Sequence, residues 1–129
     1  MRYVYPAVFG PEDGMYNVTF PDLPDCYTSG DDLTDAMFMA QDVLADVLAD
    51  REEQNEIIPE PSNVSDLSVP FGGTAALVAA DTDAWRRAHS QKAVKKTLTI
   101  PQWLDVAAQV RGINFSQVLQ EALRARLGV

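Results

Sequence analysis

Three groups of side chains in this 129-residue chain have the types and spacing to do chemistry. The first is Lys95, Thr97 and Thr99, within Val94-Lys95-Lys96-Thr97-Leu98-Thr99-Ile100. In an extended strand alternate residues share a face. These three polar side chains therefore line one side, while Val94, Leu98 and Ile100 line the other, with Lys96 at the frayed start. A polar strand face of this kind can reach base edges in a nucleic-acid major groove. The second group is Asp42, Asp46 and Asp50, which stack four apart on one side of a helix that also carries Asp35. Like charges at that spacing cost a few tenths of a kcal/mol per pair in an isolated helix. A basic partner would relieve that cost, and a solvated face is the plainer alternative. The third group is Asp22, Asp25, Asp31 and Asp32. Two-metal chemistry wants carboxylates from separate core strands. These four lie among prolines and glycines, where aspartate ordinarily serves turns and caps, so the expectation is no catalysis.

The remaining reactive types are isolated. Cys26 is the one cysteine; it cannot form an internal disulfide, and nothing nearby activates it. His89 is the one histidine and sits beside Arg86 and Arg87, as an exposed helix end would. Gly72-Gly73 is a bare turn rather than a phosphate-binding loop, and no motif asks for a cofactor or a metal.

The elements around these groups follow from periodicity and punctuation. Residues 3–9 and 15–20 read as two strands, joined across Gly10-Pro11-Glu12-Asp13-Gly14 by a loop of about five residues. Pro21 to Asp25 breaks the second strand, and residues 26–29 suit a short third one. Asp32 then caps a helix, with Asp35 at the favourable end of its dipole. Leu33, Ala36, Met37, Ala40, Leu44, Val47 and Leu48 give that helix an apolar stripe to about residue 51 or 54. Ile57 to Ser62 is extended and stiffened by proline. Residues 64–69 suggest another short strand. Ala75 to Ala80 reads as a buried strand, and Asp81-Thr82-Asp83 as the cap of a short helix over residues 84–89. Ser90-Gln91-Lys92 is the candidate hinge.

Beyond it, Pro101 opens a helix over residues 102–111, Gly112 ends it, and Asn114 caps a second helix, with Gln117 at the capping-box position. A single strand leaves backbone groups unpaired, and two short helices leave their apolar sides half covered. Pairing the strand with its twin from a second chain meets both needs. The result is a two-stranded antiparallel ribbon over four helices, of a size that enters the major groove.

Charge divides the chain at the same place. Residues 1–90 carry 17 acidic and 4 basic side chains, a net of −13; residues 91–129 carry 6 basic and 2 acidic, a net of +4, which together make the −9 of the whole. An acidic body joined to a basic tail points to partners of opposite charge. With 47% hydrophobic residues the chain can build a core. It has no signal-like run and no apolar stretch of membrane-spanning length, so the expected setting is the cytoplasm.

The tail, with its strand, helix, turn and helix, resembles the ribbon-helix-helix repressors. That resemblance implies that Lys95, Thr97 and Thr99 face base edges. It also implies that the start of the last helix, Asn114-Phe115-Ser116, holds backbone phosphate, as a helix N-terminus favours. The body resembles the HicB antitoxins through Tyr5-x-Ala7-Val8, Tyr16-x-Val18-x-Phe20-Pro21-Asp22-Leu23-Pro24-x-Cys26-x-Thr28-x-Gly30-Asp31 and Ile58-Pro59-Glu60-Pro61-Ser62. Where that family often has glycine before the cysteine, this chain has Asp25.

The expected architecture is α+β. Residues 1–90 form a HicB-like toxin-binding domain, a small sheet with one long helix, cut down from an RNase H-like fold. Residues 91–129 form a ribbon-helix-helix domain that dimerises and binds DNA. The resemblance implies an antitoxin that blocks a small basic RNA-cleaving toxin of HicA type and represses its own operon. Its implied partners are that toxin, operator DNA and a second copy, or a tetramer, with no membrane among them. Asp35, Asp42, Asp46 and Asp50 are the candidate toxin contacts. The alternatives are a dimeric interaction module or a stand-alone regulator without a toxin, and a weak nuclease.

Overall fold

The computed structural model describes residues 1–129, which form an α+β chain of two compact units, residues 1–91 and 92–129. The first unit is built on an antiparallel sheet of four strands, β1 (Arg2–Glu12), β2 (Met15–Thr19), β3 (Tyr27–Gly30) and β4 (Thr74–Asp81), in the order β3-β2-β1-β4. A 21-residue helix, α1 (Leu33–Glu53), covers one face, and a short helix, α2 (Thr82–Ala88), packs on α1.

Strand alternation sorts the core. Tyr5, Ala7 and Phe9 of β1, Val18 of β2 and Val78 and Ala80 of β4 turn toward α1, where they meet Ala36, Ala40, Leu44 and Leu48. Two prolines sit inside β1 without breaking it. Pro6 pairs with Leu77 of β4, and Pro11 with Tyr16 of β2. Their positions differ in parity, so each points its missing donor away from that partner strand. For this reason β1 runs through Gly10-Pro11-Glu12. The expected five-residue loop is only a two-residue turn, Asp13-Gly14, with φ of 51° and 79°. An Asp-Gly pair with both φ positive makes the turn whose twist matches a hairpin.

Gly30, at the end of β3, is required by packing. A Cβ there would lie 2.3 Å from the Ala36 amide nitrogen, so glycine lets the first turn of α1 rest on the strand. Asp32 caps α1 by accepting from the Asp35 amide at 2.7 Å. The Asp35 carboxylate accepts in return from the Asp31 amide at 2.9 Å.

Residues 64–69, expected as a strand, hold instead one 3₁₀ turn, Val64–Asp66, capped by Asn63. The segment turns on itself, with the Asp66 amide donating to the Asn63 carbonyl, and adds no strand to the sheet, which passes directly from β1 to β4.

The second unit holds α3 (Gln102–Val110) and α4 (Phe115–Leu127). Gly112, at φ 68°, ends α3; its amide donates to the Gln109 carbonyl, and the Ile113 amide to that of Ala108, the two bonds of a Schellman motif. Asn114 caps α4 through the Gln117 amide at 3.1 Å. The Gln117 side chain donates onward to Glu121 and makes no capping-box return. The strand expected over residues 94–100 is not formed in the single chain, which has no regular structure from Ser90 to Pro101. No other strand lies in this unit to pair with it.

Candidate functional site

The body offers one exposed acidic strip. Around α1, one arc faces the sheet, and a second, at Ala45 and Ala49, is buried where α2 packs. The arc that remains carries Asp42, Asp46 and Asp50, all exposed and none in an ion pair within the chain. Asp35 does not join them; it is half-buried and committed to the cap. The sequence missed the groove of about 610 Å³ beside this strip, lined by Asp46, Asp50, Glu53, Trp85 and Arg86 among others. Its wall is Trp85, whose ring stacks on His89 with centroids 4.2 Å apart. The four-residue spacing of the aspartates was visible in the sequence, whereas the position of Trp85 depends on how α2 docks.

Two ionic clamps tie this surface to its neighbours. Arg51 donates to Asp25 at 2.7 Å and to the Ile57 carbonyl at 3.0 Å, tying the end of α1 to the loop before β3. Asp25, which stands where the family often has glycine, does not adopt positive φ and serves as the acceptor for Arg51. Glu52 accepts from Tyr3 at 3.1 Å, Thr82 at 3.2 Å and Arg86 at 3.1 Å. Burial acts to raise its pKa, but the bonds from Thr82, Tyr3 and Arg86 outweigh it and hold the carboxyl below its ordinary value. A depressed carboxyl stabilises the fold above its unfolded-state pKa, and that contribution is lost as pH falls through the folded value.

Asp22 and Asp32 are likewise in structural use. Asp22 accepts from the Ser62 amide at 2.9 Å and from its hydroxyl, and Asp32 caps α1. No three His, Cys, Asp or Glu side chains gather where they could hold a metal ion. Cys26 is buried, and burial first, then the Asp25 charge, pushes its thiol up to about 12. With a thiol of that pKa, the thiolate fraction at pH 8 is roughly a thousandfold below that of a free cysteine. Ellman's reagent should therefore label native Cys26 at least ~100-fold more slowly than the unfolded chain; equal rates would contradict its burial.

In the second unit no residue is buried, and only Asp105, Ala108 and Leu119 are half covered. Trp103 is 71% exposed and Val110 81%. An apolar groove of about 830 Å³ runs between the extended segment and the helices, lined by Leu98, Ile100, Phe115, Val118, Leu119 and Ala122 among others. Lys95, Thr97 and Thr99 are exposed, as are Asn114, Phe115 and Ser116 at the start of α4. The amides of Phe115 and Ser116 make no hydrogen bond within the chain.

Residues 3–69 match a family described as the HicB-like antitoxin of bacterial toxin–antitoxin systems. Antitoxin HicB 1 of Photorhabdus laumondii is 43% identical over 61 residues, 46% of this chain and 39% of its own length. The chain thus spans well under half of that relative. Antitoxin HicB 2 of the same organism is 30% identical over 100 residues, covering 76% of this chain and 72% of its own. Among solved structures, a chain of a toxin–antitoxin complex from Streptococcus pneumoniae aligns with a TM-score of 0.63 and 30% identity, over 98% of this chain and 99% of that one. The sheet, the long helix and the run from Tyr3 through the Ile58-Pro59-Glu60-Pro61 segment are thus shared with known antitoxins, and the chain belongs to the HicB-like antitoxin family of bacterial toxin–antitoxin systems.

Proposed function

We propose that the chain neutralises a small basic toxin of HicA type with its body and represses its own operon by binding operator DNA with its tail. The observation that carries this reading is the opposition of the two units. The body presents an unpaired strip of aspartates on α1, and the tail is a basic unit without a core of its own. A unit of this size cannot fold stably with no apolar side chain buried. A second copy would fill the groove with its own Leu98, Ile100 and helices. The two extended segments would then pair as a ribbon that presents Lys95, Thr97 and Thr99 to base edges. The start of α4, with the free amides of Phe115 and Ser116 beside the Asn114 cap, suits a phosphate oxygen. Asp42, Asp46 and Asp50 are the proposed toxin contacts, and the groove beside Trp85 extends that surface. Alignment with a chain of a toxin–antitoxin complex supports a toxin partner.

A gel-shift titration on the DNA upstream of the reading frame, repeated across a salt series, tests the DNA arm. The wild type should bind, and binding should weaken steeply with salt as phosphate contacts release counterions. Lys95→Ala with Thr97→Ala should remove binding while the dimer persists. A wild type that binds no DNA at low salt removes the repressor reading and leaves the tail as a dimerisation device. Two threonines are modest readers of bases, so several dimers, or toxin-bound assemblies, are expected to share one operator.

A further inference from the structure

Phe38 and Met39 stand on the solvent side of α1, where an amphipathic helix ordinarily carries polar side chains. They are 65% and 41% exposed, and neither packs against the core. At 3.6 residues per turn, Phe38 lies two turns before Ala45 and within about 20° of it around the helix. Ala45 and Ala49, on that arc, are buried where α2 packs. The Arg86 guanidinium of α2 donates there to the Ala49 carbonyl and to Glu52. α2 has seven residues and α1 has 21, so α2 is about 10 Å long against about 32 Å for α1. It covers the C-terminal half of the arc and leaves Phe38 open. Met39 lies on the other side of Asp42, in line with Asp46 and Asp50. The acidic strip therefore begins with an apolar pair.

Single exposed apolar side chains are ordinary on a protein surface. These two adjoin carboxylates that have no ion-pair partner in the chain. That combination narrows the occupant. The phosphates of a nucleic acid or an anionic membrane would meet Asp42 and Asp46 as like charges. A second copy placed here by a two-fold axis would set one strip of aspartates against the other. A basic protein surface with an apolar hollow satisfies both halves, because it brings cations to the carboxylates and a dry seat to the ring.

We propose that Phe38, with Met39 beside it, is the apolar anchor of the toxin contact, seated in a hollow whose lysine and arginine rim lies over Asp42, Asp46 and Asp50. The assignment rests on the toxin reading above and adds a division of labour to it. Interfaces draw most of their energy from a few buried anchors, aromatic ones above all. Exposed charges around an anchor chiefly set the association rate and its salt dependence. Phe38 thus governs how long the complex lasts, and the three aspartates how fast it forms.

Binding kinetics of the full-length chain with the purified HicA-type toxin of the same operon, at low and high salt, test this. Phe38→Ala should raise the dissociation rate about 30-fold and leave the association rate within about 3-fold. Phe38→Leu should recover most of the loss. The combined change Asp42→Asn, Asp46→Asn and Asp50→Asn should do the reverse. Association should slow about 10-fold at low salt, and the difference should close at high salt. Phe71→Ala, at a fully exposed aromatic in the turn before β4, should match the wild type. Because Phe38 packs on nothing in the core, Phe38→Ala should melt within a few degrees of the wild type, which separates a lost contact from a lost fold. A Phe38→Ala dissociation rate equal to the wild type's, with the asparagine variant still slowed, overturns the anchor and leaves the toxin contact on the strip. Wild-type kinetics in both variants remove the toxin from this face and the anchor with it. Equal acceleration by Phe71→Ala also overturns the anchor. If Phe38→Ala keeps its toxin kinetics and instead halves the mass seen by sedimentation equilibrium, the apolar pair belongs to a second copy.

Discussion

Replacing Asp42, Asp46 and Asp50 together by lysine should lower affinity for a basic toxin by roughly 100-fold, and most of the loss should vanish in high salt. All three carboxylates are exposed on one arc of α1, and none is paired within the chain. Whatever attraction they exert is therefore directed outward. An exposed ion pair is worth about 0.2–1 kcal/mol, and reversing a charge turns attraction into repulsion. Three reversals amount to about 3 kcal/mol, and about 1.4 kcal/mol is a tenfold change in Kd. The same substitution should leave the melting temperature within a few degrees, because these positions bury nothing. Titration calorimetry against the toxin at two ionic strengths reads both quantities. Unchanged affinity at low salt would move the toxin contact elsewhere on the body. Reversing Asp35 is expected to behave differently. It would remove the return bond to the Asp31 amide and cost stability, so it should not be pooled with the other three.

Gly30→Ala should lower the melting temperature of the body by more than 10 °C. The new Cβ would stand 2.3 Å from the Ala36 nitrogen, 2.5 Å from the Ala36 Cα and 2.8 Å from the Asp35 carbonyl carbon. All three are backbone atoms in the first turn of α1. No side chain can swing aside, so either the helix lifts from β3 or the strand bends. Forced overpacking of this kind costs about 1–3 kcal/mol or more. A domain of this size loses roughly 4–8 °C per kcal/mol. Gly14→Ala is the control: nothing lies within 4 Å of its Cβ, and the cost is only that of φ 79° in the hairpin turn, about 1–2 kcal/mol. A thermal melt that ranks Gly14→Ala as the more damaging would show that α1 does not rest on β3 as described.

Local features of the sequence anticipated much of the body. Asp32, Asp81 and Asn114 cap the helices that follow them, because a cap needs only the next three amides. Ala75 to Ala80 forms a strand as its glycine boundary and downstream cap implied. The misplaced elements all turned on distant partners. Whether Pro11 ends a strand depends on which neighbour its missing donor would have faced. Residues 64–69 alternate weakly, but they turn on themselves after Asn63 and pair with no strand.

The candidate surfaces divide in the same way. The sequence by itself determined the spacing of Asp42, Asp46 and Asp50, the basic tail, and the two helices with Gly112 between them and the Asn114 cap on the second. Each of these follows from residues within a few positions of one another. Only the tertiary structure decided that Asp35 is spent on a cap, that α2 brings Trp85 beside the acidic strip, that α2 leaves Phe38 open, and that the segment carrying Lys95, Thr97 and Thr99 forms no strand in a lone chain. A ladder of hydrogen bonds needs two strands, and amphipathic helices need something to cover. Periodicity can propose such partners, but only the folded chain reveals which of them it contains.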